Sequence, residues 1–222
     1  MATAPAPSST GDSRYQPGGT ALFVKGDWTG RILKTSEDTG DMGRWCTITI
    51  QGKGDIKLDI ICGYRSVDQD IASAGTTTNY YQQWMNLRAK GDQQPDPREQ
   101  FFIDLGIHIE KLKTEKHEIM LMMDANESTT ERNSRVEKFF IKHGLVDLHA
   151  MKHKDLDDPP NTYIRGSKCI DFFAGTEGVT GAVDRAGIEA FCQTFYSDHR
   201  GLFMDINMTM MLKGTPADLG AL

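Results

Sequence analysis

Ile119-Met120-Leu121-Met122-Met123-Asp124-Ala125-Asn126-Glu127 is the stretch from which the rest of the chain is read. Five apolar residues in a row, long enough for one fully buried strand, end in an acid and an amide two positions apart. Side chains two apart on a strand point the same way, so a strand continued through its last residues would put Asp124 and Asn126 on one face. Neither residue is a good strand former. Two readings stand side by side: a strand spent on positioning polar groups, and an ordinary strand end closed by a turn-forming Asp and Asn.

Working outward, the chain enters this strand from a well-marked helix. Asp96 and Glu99 form a capping box, Pro97 sits at the first helical position, and Phe101, Phe102, Leu105, Ile109 and Leu112 follow on one side. It leaves into a helix over 132–143, with Val136, Phe139 and Phe140 inward and Gly144 as its stop. A third helix is expected over 77–87. Further upstream, residues 20–25 read as a short strand, and residues 45–50 and 56–64 as an antiparallel pair joined at Gly52-Lys53-Gly54-Asp55. Downstream, strands are expected over 169–174, 187–195 and 202–210, with an acidic, proline-containing loop over 155–160. Residues 1–17 are small, polar and proline-rich and read as a disordered lead-in, 18–210 as one domain, and 211–222 as a tail. Mixed strands and helices with hairpins predict a layered α/β (α+β) domain.

Composition narrows the function. A formal charge of −6 argues against coating nucleic acid through bulk electrostatics, and suits a site that gathers carboxylates around a metal. The four cysteines are scattered, without the close pairs that hold zinc, and read as free thiols of a reducing compartment. No apolar run approaches the ~20 residues of a membrane span. The N-terminus lacks the apolar core of a secretory signal, so an intracellular protein, nuclear or cytoplasmic, is expected. Asp124-x-Asn126-x-Ser128 begins like a calcium loop, but Thr129 stands where that loop needs Gly and Arg135 where it needs Glu.

Several other predicted strands carry a polar residue that their local sequence does not need: Tyr64, Asp171 and the Ser197-Asp198-His199 triplet. In order, Gly18-Gly19-Thr20, Tyr64, Asp124-x-Asn126, Ile170-Asp171-Phe172 and Ser197-Asp198-His199 resemble the endonuclease/exonuclease/phosphatase superfamily, over about Gly18 to Asn207. Gln16-Pro17-Gly18-Gly19-Thr20 and Arg165-Gly166-Ser167-Lys168 look most like its retroelement-type branch.

The resemblance implies a β-sandwich flanked by helices and Mg²⁺- or Mn²⁺-dependent hydrolysis of phosphodiesters, with nicking of DNA as the expected activity. Asp124 would orient and deprotonate the attacking water, and Asn126 would hydrogen-bond water or phosphate. His199 would donate to a phosphate oxygen, with Asp171 holding its ring. Asp198 would sit near the metal as a ligand or outer-shell group, and Tyr64 would contact the phosphate or leaving group. Arg65 is a further phosphate-contact candidate, weighed against simple solvation of an Arg in a polar loop. The partners implied are the DNA backbone and, by fusion or association, a reverse transcriptase; a membrane is not among them.

The sequence also departs from the family, which opens with a strand bearing an Asn and a second carrying a Gln-Glu pair whose Glu is the main metal ligand. Neither is found upstream of Gly18. The expectation is an N-terminally incomplete domain with an exposed sheet edge and weakened metal binding. The alternative to a nuclease is therefore an inactive remnant that survives as a binding module or without function. A phosphatase of the same fold ranks lower.

Overall fold

A computed structural model describes residues 1–4, 18–155 and 159–213. Its centre is a six-stranded sheet built from β3 (Ile32–Glu37), β4 (Trp45–Gln51), β5 (Lys57–Tyr64), β6 (Glu118–Asp124), β8 (Asp171–Gly175) and β7 (Val146–Asp147), in that spatial order. The run that opens the argument is β6, in the interior of the sheet. It pairs in parallel with β5 and antiparallel with β8. A parallel pair needs a long crossover, and α1 (Asn79–Ala89) and α2 (Pro97–Thr114) supply it.

Local signals set the helix ends. The Asp96 carboxylate accepts from the backbone N–H groups of Arg98 (2.9 Å) and Glu99 (3.0 Å), with Pro97 at the first helical position. All five apolar residues assigned to the inner side of α2 are buried. The third helix, α3 (Arg135–His143), is capped by Ser134 and starts three residues later than the sequence indicates. It stops where Gly144 takes the left-handed conformation (φ 63°).

The sheet carries one core on each face. Under α2 and α3 lie Ile61, Ile119, Leu121, Met123, Phe172 and Ala174, and each fully buried Ile or Leu there is worth ~1.5–3 kcal/mol. The opposite face is covered by two separate two-stranded ribbons. One pairs β1 (Ala2–Ala4) with β2 (Thr20–Leu22), and the other pairs β9 (Val183–Ile188) with β10 (Leu202–Ile206). Short helices α4 (Leu148–Lys152), α5 (Glu177–Ala182) and α6 (Met208–Leu212) complete this layer. Sheet, helices and ribbons make the flanked sandwich that the sequence predicts.

The structure shifts several boundaries. Ala2–Ala4 form a strand inside the stretch read as lead-in; residues 5–17 lie outside the described residues. The strand expected at 187–195 is β9, four residues earlier, because the chain turns after Ile188, with Gln193 N–H donating to the Ala190 carbonyl. The strand expected at 202–210 ends at Ile206, where the Asn207 side chain caps α6 by accepting from Met210 N–H at 2.9 Å. It joins β9, not the main sheet. Met211 and Leu212, at the start of the predicted tail, are buried; 214–222 and the middle of the 155–160 loop are outside the described residues. Among the described residues, no helix is long and apolar enough to cross a membrane.

Candidate active site

The site begins as a matter of register. Tyr64 and Asp124 are partners across the β5–β6 pair, and Asp124 and Asp171 are partners across β6–β8. Residues in one row of adjacent strands present their side chains to the same face. Three residues distant in sequence therefore meet at one edge of the central sheet.

Beyond Asp124 the pleat does not continue. Ala125 N–H still reaches the Ile170 carbonyl (2.9 Å), but Asn126 adopts a left-handed backbone (φ 47°). Its N–H donates to Asp124 Oδ1 at 2.9 Å, and its side-chain amide donates to the Arg65 carbonyl at 2.7 Å and to Asp124 Oδ2 at 3.4 Å. Asn126 thus reaches Asp124 by an Asx-type turn, which corrects the shared strand face expected from the sequence. Turn and site turn out to be the same object: the turn residue holds the strand-end carboxylate in place.

His199 arrives from a segment that bridges to Tyr163 in antiparallel fashion. Its Nδ1 lies 2.9 Å from Asp171 Oδ2 and its Nε2 4.0 Å from Asp124 Oδ2, so the ring stands between the two acids. Tyr163 packs against the ring with centroids 5.1 Å apart. Thr162 Oγ1 accepts from the backbone N–H groups of Ile170 (3.0 Å) and Asp171 (3.2 Å), fixing the start of β8.

The electrostatics follow. Burial, and then the charge of Asp171, push the Asp124 carboxyl up to about 7. The hydrogen bond to Asp171 raises His199 above its ordinary value against the opposing effect of burial. Oxygen and nitrogen atoms of Asp124, Asp171 and His199 all lie within 4.8 Å of one another. Two carboxylates that repel each other in a partly desolvated site fit a hard divalent cation, whose charge would relieve that repulsion. Among the described residues this is the one such grouping of His, Cys, Asp and Glu, and it contains no Glu.

One residue assigned to the site lies elsewhere, and another stands at its margin. Arg65 is fully buried, which removes it from direct phosphate contact. Its guanidinium pairs with Glu127 Oε2 at 2.7 Å, donates to the carbonyls of Arg98 (3.1 Å) and Ala125 (3.2 Å), and lies over the Phe102 ring. Burial lowers its pKa to about 10. Asp198 is exposed and stands outside the three-residue grouping.

The frame around Arg65 was not visible in the sequence. Arg98 joins Glu127 Oε2 at 3.2 Å and donates to the Ser66 and Asn126 carbonyls, while Glu127 also accepts from Arg135 N–H and Ser134 Oγ. Two buried cations and one anion thereby grip the backbone of Ala125 and Asn126 immediately after the catalytic candidate. Arg200 was also missed. It lines a cleft of about 420 Å³ together with Tyr64, Asp124 and Asp171, and its guanidinium stacks 4.1 Å over Phe191. The position directly after His199 was the only sequence signal available for it.

No protein-family model matches the chain, and no curated protein matches it. Solved structures do. A 3′-5′ exonuclease, NExo, from Neisseria meningitidis superposes with a TM-score of 0.53 at 16% identity, over 75% of this chain and 66% of that one. The NExo 3′ phosphatase from Neisseria bound to product DNA hairpin gives 0.52 at 16% identity, over 74% and 65%. The endonuclease domain of TRAS1, a telomere-specific non-LTR retrotransposon, gives 0.49 at 14% identity over 78% and 68%, too loose a superposition to bear on the retroelement reading. The chain spans just under two-thirds of the length of each NExo structure. By its superposition on the two NExo structures, the chain has the endonuclease/exonuclease/phosphatase fold.

Proposed function

We propose that the chain is a metal-dependent phosphodiester hydrolase acting on DNA, of the retroelement endonuclease type. The observation that carries the reading is His199 standing between Asp171 and Asp124 at the strand ends, beside an open cleft. Support for DNA comes from the fold shared with NExo, and support for the retroelement type from the sequence motifs at 16–20 and 165–168. A reverse transcriptase, fused or associated, belongs to the same proposal.

In this reaction Asp171 keeps the His199 ring oriented with Nδ1 toward β8, so that Nε2 faces Asp124. A raised pKa favours the imidazolium, which donates to a phosphate oxygen and stabilises charge as it develops. Asp124 holds the attacking water and takes its proton, a role a carboxylate at the strand end can fill. Asn126 fixes the Asp124 carboxylate, and Tyr64, in register beside it, contacts the phosphate or leaving group. Asp124 and Asp171 are the carboxylates that would hold a Mg²⁺ or Mn²⁺ ion, which neutralises phosphate charge, with Asp198 as an outer-shell group.

The test is a duplex oligonucleotide labelled at both ends and incubated with the chain and Mg²⁺ or Mn²⁺. Internal cleavage is expected. Release of terminal nucleotides or of a 3′ phosphate alone would replace the endonuclease reading with an exonuclease or phosphatase. No cleavage with either metal would leave the inactive binding module as the correct account.

A further inference from the structure

Cys46 and Cys62 face each other directly across the β4–β5 pair. Two residues along, Arg44 and Tyr64 form a hydrogen-bonded row, with Tyr64 N–H donating to the Arg44 carbonyl at 2.8 Å. Hydrogen-bonded and open rows alternate along an antiparallel ladder, so the cysteine row is hydrogen-bonded too, with Cα atoms about 5.5 Å apart. That separation lies within the window of about 4.4–6.8 Å from which a disulfide closes without backbone movement. Opposite residues share a face. Both thiols point toward the β1–β2 ribbon: Cys46 Sγ donates to the Ala2 carbonyl at 3.6 Å, and Cys62 lines the cleft with Thr20 and Ala21.

Both are free thiols, but their access to solvent differs. Cys46 is fully buried, whereas Cys62 is half-buried against the open cleft. The other two cysteines are placed apart from them. Cys169 belongs to the core on the opposite face of the sheet, and Cys192 is exposed in the segment after β9. Burial, and then the neighbouring Cys46, push the Cys62 thiol up to about 11, and burial raises Cys46 as well. Thiols held protonated attack slowly. Such a pair stays open in a reducing compartment and closes only when an oxidant persists.

We infer that Cys46 and Cys62 are a redox modification site, closing to a cross-strand disulfide when hydrogen peroxide enters the cleft. The Cys62 thiolate attacks one peroxide oxygen and the O–O bond breaks, leaving Cys62 as a sulfenic acid and releasing one water. Cys46 Sγ then attacks the Cys62 sulfur. The S–O bond breaks, the S–S bond forms, and a second water leaves. The two thiols together give up two electrons and two protons, and the peroxide is reduced to water. A small dithiol reopens the bond by exchange. Cys62 stands two residues before Tyr64 on the same face of β5, so the bond ties this strand down just short of the Tyr64–Asp124–Asp171 row. The inference rests on the pairing of β4 with β5 and stands whether or not the chain cleaves DNA.

The test treats the full chain with hydrogen peroxide at pH 9, where more thiolate is present, blocks the remaining thiols in denaturant and digests with trypsin without reductant. Cleavage after Lys and Arg puts each cysteine on its own peptide: 45–53, 58–65, 169–185 and 186–200. Mass spectrometry should find 45–53 joined to 58–65, lighter by two hydrogens than their sum, and the two should separate after dithiothreitol. In Cys46→Ser the joined product should be lost and dimedone should trap a sulfenic acid on Cys62. In Cys62→Ser the buried Cys46 should stay a thiol. If a variant does not fold, the wild-type peptide map decides. Recovery of 45–53 and 58–65 as free thiols after Cys192 has been oxidised overturns the proposal. So does linkage of either peptide to 169–185 or 186–200, or a sulfenic acid trapped on Cys46 while Cys62 stays a thiol.

Discussion

At the scale of single residues, His199 and Asp171 are the most tightly specified pair in the site. The 2.9 Å contact raises the His199 pKa, so Asp171→Asn should lower it, as read from the imidazole ¹H–¹⁵N shifts across a pH titration. An unchanged titration would show that the contact does not exist in solution. Asp124 gives a second prediction through linkage. Its folded pKa of about 7 stands above the ordinary 3.8, so the folded state holds the extra proton and stability falls as pH rises between those values. His199 acts in the same direction: its contribution is complete below its ordinary 6.5 and is lost as pH rises through the higher folded value. In metal-free buffer the urea midpoint should therefore fall between pH 5 and pH 8, with a flatter slope in Asp124→Asn. Mg²⁺ at pH 8 should restore midpoint in the wild type only.

At the scale of elements, the turn after β6 depends on groups that local sequence cannot connect. Arg65 and Glu127 are 62 residues apart, and in the sequence Arg65 sits in a polar loop where solvation is the ordinary outcome. Its burial follows from the parallel β5–β6 pairing, which sets Arg65 N–H 2.9 Å from the Asp124 carbonyl. Glu127→Gln leaves two buried cations without their anion and should cost ~3–5 kcal/mol in chemical denaturation, as breaking a buried ion pair does. A loss below 1 kcal/mol would mean the frame is open to water. The α2 start, by contrast, was legible in four residues, because capping chemistry is local: Asp96→Ala should cost ~1 kcal/mol. β3 escaped the sequence reading for the opposite reason. An edge strand bearing Lys34 and Glu37 shows little of the alternation that marks a half-buried strand.

At the scale of the whole molecule, β6 organises everything the sequence could and could not show. Its apolar run marked a buried central strand, and the polar residues ending β5, β6 and beginning β8 marked the candidate site, because polar groups at buried strand ends break the local pattern that folding alone would prefer. The two short ribbons were harder to read, since three-residue strands such as β1 and β2 carry no periodicity. Their separation over β6 is a property of packing alone. The central claim is that the row built on Asp124, Asp171 and His199 hydrolyses phosphodiesters. Its most direct test is nicking of supercoiled plasmid with Mg²⁺, with wild type, Asp124→Ala and His199→Ala purified in parallel and confirmed folded by circular dichroism. The account predicts nicking by the wild type that EDTA abolishes and that falls at least ~10²-fold in each variant. Equal activity, or equal inertness, in all three would contradict it.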